Sequence, residues 1–262
     1  MKILFVGDIV GQPGVDAVRS LVPLLITQES LDLVVVNAEN VCGGSGLTPR
    51  QYRQVRGAGV DLITMGDHIY RRSEILPVLN TEDRICKPAN FPRAAPGREW
   101  ILAPARNGVT VAAFALLGRT FMRPVDCPFQ AADRVLADLK DRAAVILVDM
   151  HAEATSDKYL MGHYLKGRVS AVLGTHTHVP TADEQLLGTT AFISDVGMTG
   201  PHESILGRRV ERVLSHALDF VPAAFDVATG DVRLSGAIVE VDAETGHALA
   251  IRRLQVRMPD GP

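Results

Sequence analysis

The chain has no CxxC pair: its three cysteines, Cys42, Cys86 and Cys127, stand far apart in 262 residues. An odd, scattered set excludes a disulfide framework and a zinc ribbon, and a reducing cytoplasm is the simplest compartment to expect. Positive charge is not in excess either. Lys+Arg number 27 against 30 Asp+Glu, a formal net charge of -3, which leaves no broad field for holding nucleic acid nonspecifically. No run approaches the ~20 apolar residues that span a bilayer. Met1 to Asp8 lacks a basic segment followed by a long apolar one, so it reads as a strand and not as a leader. Repeats, low-complexity tracts and linkers are also missing. The expected protein is cytoplasmic, with no membrane partner and no stable nucleic-acid partner.

What is present is an ordinary globular balance, 47% apolar and 22% charged. A chain of this length buries a core without covalent staples. Strand and helix signals alternate in the first half. Residues 2–6 form a β-rich run ended by Gly7-Asp8, and Pro13 is placed to open a helix reaching Leu25. The nearly all-apolar run 32–36 suits a sheet covered on both faces. Thr48-Pro49 reads as an N-cap followed by proline in the first turn, and 61–64 as a further strand. Later, 100–103 and 109–116 flank the hairpin signal Asn107-Gly108. Residues 129–139 read as a helix, 144–149 and 169–173 as strands, and 233–241 and 248–256 as long paired strands. The expectation is one α/β domain over 1–262, with parallel βαβ units, antiparallel additions and two packed sheets with helices outside.

Metal-type side chains recur where these strands end. Asp8 follows the first strand, and Asn37, Glu39 and Asn40 the second. Asp67 and His68 follow the third, Asp149 and His151 a later one, and His176 and His178 another. Ligands of open α/β sheets bind outside the carboxyl ends of the strands. Each piece alone has a plain reading: Gly-Asp is usually a turn, Glu39-Asn40 a solvated loop, His151 a helix cap. Five such segments at equivalent strand ends point instead to one metal site, with His176 and His178 reaching it from an extended strand end. Oxygen and imidazole donors without thiolate suit Fe, Mn, Ni, Co or Zn. Two ions roughly 3.5–4 Å apart would bind a phosphoryl oxygen and activate water, and a histidine outside the cluster would protonate the leaving group. Arg119, Ser45, Tyr70, His202 and Cys42 are weaker candidates, each explained equally well or better by a structural or solvated role.

The segments Gly7-Asp8-Ile9-Val10-Gly11, Asn37-Ala38-Glu39-Asn40, Thr64-Met65-Gly66-Asp67-His68, Lys87-Pro88-Ala89-Asn90-Phe91-Pro92, His151-Ala152-Glu153-Ala154-Thr155 and Gly174-Thr175-His176-Thr177-His178 run in order through most of the chain. Together they resemble the YmdB-like metallophosphoesterases, a family of 2',3'-cyclic-nucleotide 2'-phosphodiesterases. The resemblance implies an αββα sandwich of two mixed β-sheets flanked by helices. It also implies two metal ions, iron first and manganese as the alternative. By that resemblance Asp8, Glu39, Asn40 and His178 hold one ion. Glu39, Asp67, His151 and His176 hold the other, with Glu39 bridging, and His68 is the proton donor.

Two departures stand out. Ile9 and Val10 follow Asp8 where many metallophosphoesterases have Asp-x-His, and Asn40 takes the missing histidine's place. Asp67 stands where the family branch has asparagine, and its extra charge favours a trivalent ion such as ferric iron. The expected reaction is hydrolysis of a small phosphodiester, such as a 2',3'-cyclic nucleotide, by a metal-bound hydroxide. A broad phosphatase/phosphodiesterase is the alternative within enzymes. A nucleotide- or RNA-end-sensing protein with little turnover is the alternative outside them. Apolar β-rich stretches near the C-terminus are the candidate surface for a homo-oligomer.

Overall fold

The computed structural model describes residues 1–259. Its first part alternates β1 (Lys2–Val6), α1 (Gly11–Gln28), β2 (Leu33–Asn37), α2 (Pro49–Gly57), β3 (Leu62–Thr64), α3 (Leu76–Thr81) and β4 (Ile85–Cys86). Next come β5 (Ile101–Pro104), β6 (Thr110–Leu117), α4 (Pro128–Leu139), β7 (Val145–His151), α5 (Thr155–Tyr164), β8 (Ala171–Thr175), β9 (Gln185–Leu187) and β10 (Thr190–Ile193). The last part holds β11 (Gly200–Pro201), α6 (Val210–Asp219), β12 (Val232–Val241) and β13 (Ala248–Arg257).

Two mixed sheets result. In the first, β1 to β4 are parallel neighbours, β12 runs antiparallel to β1, and β13 pairs with β12. In the second, β6, β7, β8 and β10 are parallel, with β5 and β9 antiparallel at the edges. The period of two along each strand sorts side chains into layers. Ile3, Phe5, Leu33 and Val35 point inward and meet Val111, Ala113, Leu147 and Leu173 of the other sheet. Leu4, Val6, Val34 and Val36 point outward, under Val15, Val18 and Leu21 of α1 and Val55 of α2. Phe114, Val148, Val172 and Phe192 face outward from the second sheet, under Val135 of α4 and Met161 of α5. Each fully buried branched or aromatic side chain stabilises by about 1.5–3 kcal/mol. The αββα sandwich is therefore the fold.

Local signals act as their chemistry requires. The Thr48 hydroxyl accepts from the Gln51 N–H at 3.4 Å and caps α2. Gly108 turns the β5–β6 hairpin at φ 87, a conformation that favours glycine. β7 is longer at its end than the expected 144–149, so Asp149 and His151 lie within a strand whose seven residues are all buried. β4, β9 and β11, of two or three residues each, are too short to leave a hydrophobic period.

Because β1, β2, β3, β7 and β8 point the same way within their sheets, their carboxyl ends gather at one edge of the sandwich. The two sheets are tied there by a polar contact, Thr64 of β3 donating to Asp149 of β7 at 2.5 Å.

Candidate metal centre

Asp8, Glu39, Asn40 and His151 are all buried at this edge. Gly7 lets the chain leave β1 in contact with the backbone ahead of β11: a Cβ there would sit 1.7 Å from the Gly197 carbonyl. Asp8 then accepts from the His176 N–H at 3.1 Å. Beyond β2, the Glu39 N–H donates to Asn37 Oδ1 at 3.1 Å, which turns the Glu39 side chain back over the strand ends. Beyond β3, the His68 N–H donates to Glu39 Oε2 at 2.9 Å.

The side chains fall into two groups that share Glu39. Glu39, Asp67, His151 and His176 each offer a donor atom, and these four lie within 4.8 Å of one another. His151 Nε2 is 3.1 Å from Glu39 Oε1 and 3.2 Å from Asp67 Oδ1. On the other side, Asn40 Nδ2 is 3.5 Å from Asp8 Oδ1, 3.3 Å from Glu39 Oε1 and 3.2 Å from His178 Nε2. Asn40 Oδ1 faces away, 2.8 Å from His68 Nδ1. The seven expected ligands and His68 therefore meet at one place. Gly66 makes room for them: a Cβ there would lie 2.3 Å from Glu39 Oε2 and 2.4 Å from His151 Nε2.

A second layer fixes which imidazole nitrogen faces the cluster. Thr175 donates to Asp149 Oδ1 at 2.6 Å, so its oxygen accepts from His151 Nδ1 at 2.8 Å and His151 Nε2 is the nitrogen turned toward the cluster. The Leu206 carbonyl, 3.1 Å from His178 Nδ1, does the same for His178. Asn37 and Thr64 complete the shell around Asp149. Lys158 of α5 and Asp195, both buried, pair at 2.7 Å, and Asp195 also holds the Thr177 N–H and hydroxyl between the two histidines.

Asp149 and Asn37 were legible as strand-end residues, but their supporting role was not. Thr175 and Asp195 lie in segments that resemble the family but with no role legible there, and Lys158 carried no signal of its own in the sequence. His176 and His178 do not continue the strand as expected. They take φ 95 and φ 67, and such backbone strain persists where the surroundings over-determine it, often at functional sites.

Electrostatics show what the site needs. Burial raises the Asp8 carboxyl above its usual range, with His178 and His151 offsetting part of the rise. Burial also acts to raise Glu39 and Asp67, but the adjacent His151 outweighs it and both are lowered. His151, despite burial, is pushed well above the ordinary histidine value by Glu39 and Asp67. Burial and the neighbouring His151 push His176 down to about 4. Among the described residues the side chains that pair with Asp8, Glu39 and Asp67 are imidazoles, with no lysine or arginine. Buried carboxylates matched among the described residues only by imidazoles, whose ring nitrogens are turned toward them, fit a bound metal ion that would take the place of the imidazole proton.

A cleft of about 370 Å³ opens over Glu39, Asn40, His68, His176 and His178, the scale of a small-molecule site. Arg119 is exposed, its N–H bound to Asp157. His202 lies against Gly200 and Asp231 at the β11–β12 edge, and Tyr70 donates to the Pro96 carbonyl. None of the three lines the cleft.

No helix of the described residues is long and apolar enough to cross a membrane. Residues 4–254 match the model of the YmdB-like protein family. The chain is 43% identical over 257 residues to the 2',3'-cyclic-nucleotide 2'-phosphodiesterase of Bacillus subtilis (strain 168), covering 98% of this chain and 97% of that one. A hypothetical protein from Thermus thermophilus, known from its crystal structure, superposes with TM-score 0.92 at 40% identity, covering 99% and 100% of the two chains. The crystal structure of a novel phosphatase from Mycoplasma pneumoniae gives TM-score 0.90 at 29% identity over 98% and 93%. With its fold, its strand-end cluster and these relatives in agreement, the chain belongs to the YmdB-like family.

Proposed function

We propose that this protein is a metal-dependent phosphodiester hydrolase acting on 2',3'-cyclic nucleotides or similar small phosphodiesters. The observation that carries the reading is Glu39. Its Oε1 lies 3.1 Å from His151 Nε2 and 3.3 Å from Asn40 Nδ2, so this one carboxylate would serve both donor groups. Asp8, Glu39, Asn40 and His178 would hold one ion, and Glu39, Asp67, His151 and His176 the other. Hard oxygen and imidazole donors suit iron, with manganese as the alternative. Cations so held supply Lewis acidity toward phosphoryl oxygens and lower the pKa of water to about 7.

The chain's own groups do the rest. His68 lines the cleft with no place in either donor group, which suits it to protonate the leaving alkoxide. Ligation by Asn40 would use its carboxamide oxygen, with the amide turned end for end from the orientation described. Glu39 Oε2 holds the His68 backbone N–H, so the donor is set in place by the bridging residue itself. The name of the Bacillus subtilis relative supports the cyclic-nucleotide substrate. The Mycoplasma pneumoniae neighbour, described as a phosphatase, favours a broader specificity as the second reading. Free cysteines throughout the described chain are in keeping with a cytoplasmic protein.

The test is a rate comparison with iron- or manganese-loaded protein on a 2',3'-cyclic nucleotide, an aryl phosphodiester and a phosphomonoester. Preference for the cyclic nucleotide supports the proposal, and equal rates on all three favour the broader enzyme. Tight nucleotide binding without hydrolysis would make the protein a sensor and end the proposal.

A further inference from the structure

The cleft over the metal centre is polar where the strand ends reach it and apolar elsewhere. Its apolar lining is Ile205, Leu206, Val213 and Phe225, all from the single segment 205–225 that follows β11 and carries α6. No residue of α6 is buried, and Leu206 and Phe225 are 49% and 39% exposed. Scattered exposed apolar residues need no explanation. Four lining one cleft beside buried carboxylates are not accounted for by core packing, and phosphoryl chemistry at cations does not call for them.

The segment is also held in place. Leu206 has φ 51, a left-handed conformation that is unfavourable for a residue with a Cβ. Here it turns the Leu206 carbonyl to His178 Nδ1 at 3.1 Å while the side chain lines the cleft. Arg208 donates to the Phe225 and Gly43 carbonyls at 2.8 Å each, and also to the Gly44 carbonyl. Phe225 is thereby tied to the loop that follows Glu39 and Asn40. Gly44 takes φ 81, which favours glycine, and a Cβ there would lie 2.4 Å from Arg208 Cζ and displace the guanidinium from this junction. The His216 ring packs edge-on to Phe225 at 5.4 Å between centroids, which steadies the phenyl ring.

We propose that this apolar wall receives the organic group of the substrate, a nucleobase, with Phe225 as the stacking surface. The proposal deepens the phosphodiester-hydrolase reading of the same cleft and rests on it. A base has a flat π face that an aromatic ring holds whatever its edge carries. The four wall side chains have no donor or acceptor of their own, so they favour base-bearing phosphodiesters over alkyl ones while discriminating little among bases.

The experiment compares kcat/KM of the metal-loaded enzyme on a 2',3'-cyclic nucleotide and on glycerol 1,2-cyclic phosphate, which keeps the five-membered cyclic phosphate and lacks a base. In Phe225→Ala the ratio of the two should fall about 5- to 100-fold, through KM for the nucleotide. Phe225→Tyr, which keeps the aromatic face, should restore it. An unchanged ratio in Phe225→Ala overturns the proposal. If the wild type turns over neither diester, the hydrolase reading fails on its own. The wall is then tested by equilibrium binding of the nucleotide to metal-loaded protein: a weaker Phe225→Ala complex supports it, and an equal one overturns it.

Discussion

His151 Nδ1 lies 2.8 Å from the Thr175 hydroxyl, which spends its own proton on Asp149 at 2.6 Å. The hydroxyl oxygen is thus an acceptor toward His151, and Nε2 is the nitrogen presented to Glu39 and Asp67, where a cation would displace its proton. Thr175→Val keeps the shape and removes the acceptor. Loss of such an outer-shell partner typically weakens metal affinity about 10- to 100-fold. A buried N–H left unpaired costs about 1–3 kcal/mol of stability. Metal titration and urea denaturation of the variant measure both, and wild-type affinity would show that Thr175 does not orient His151.

His68 tests the proton donor. His68→Ala should keep the metal content of the wild type and lose turnover by about 10²–10⁴-fold on an alkyl phosphodiester. The loss should shrink with an aryl leaving group, which needs little protonation. Full activity on the alkyl diester would exclude His68 as the acid.

Lys158 and Asp195 test the buried support of the histidine turn. Both side chains are about 1% exposed and their charges meet at 2.7 Å. Lys158→Met leaves Asp195 buried and unpaired, a change that typically costs about 3–5 kcal/mol. The urea midpoint should fall accordingly, and metal affinity with it, because Asp195 also holds Thr177 between His176 and His178. A midpoint equal to that of the wild type would contradict this account.

Asp183 gives a pH signature away from the metal centre. Burial acts to raise its carboxyl, but donors from Ser194 and Thr181 hold it below the usual carboxylate range. Its folded pKa therefore lies below the unfolded value of about 3.9. The contribution is fully present above that value and is lost as pH falls through the folded one. In Asp183→Asn, the acid limb of a stability-versus-pH curve should be shallower than in the wild type. Superimposable acid limbs would assign the loss to other carboxylates.

Much of this site was legible in the sequence because strand ends are legible. Gly7-Asp8, Asn37 to Asn40 and Gly66-Asp67-His68 each break an apolar run, and parallel strands carry such breaks to one edge. The supporting layer was hidden for the opposite reason. Asp149 lies inside a wholly buried strand, where a hydrophobic pattern gives no hint that Thr64 and Thr175 will satisfy it. Lys158 reads as a solvated helical lysine until Asp195 arrives from far along the chain. The left-handed turns at His176 and His178 follow from tertiary contacts, with Asp8 holding the His176 N–H and Leu206 the His178 ring. Helix α6 buries none of its residues, and nothing in the pattern of 210–219 tells a core-facing side from one left open beside a cleft.

The central claim is that Glu39 joins two cation sites, and metal content per chain tests it most directly. Purified without air and loaded with iron or manganese, the wild type should carry about two ions per chain. His178→Ala and His151→Ala, each removing an imidazole from a different group, should each carry fewer, while Glu39→Ala, which strips both groups, should carry fewest. Three variants that all bind as much metal as the wild type would contradict the account.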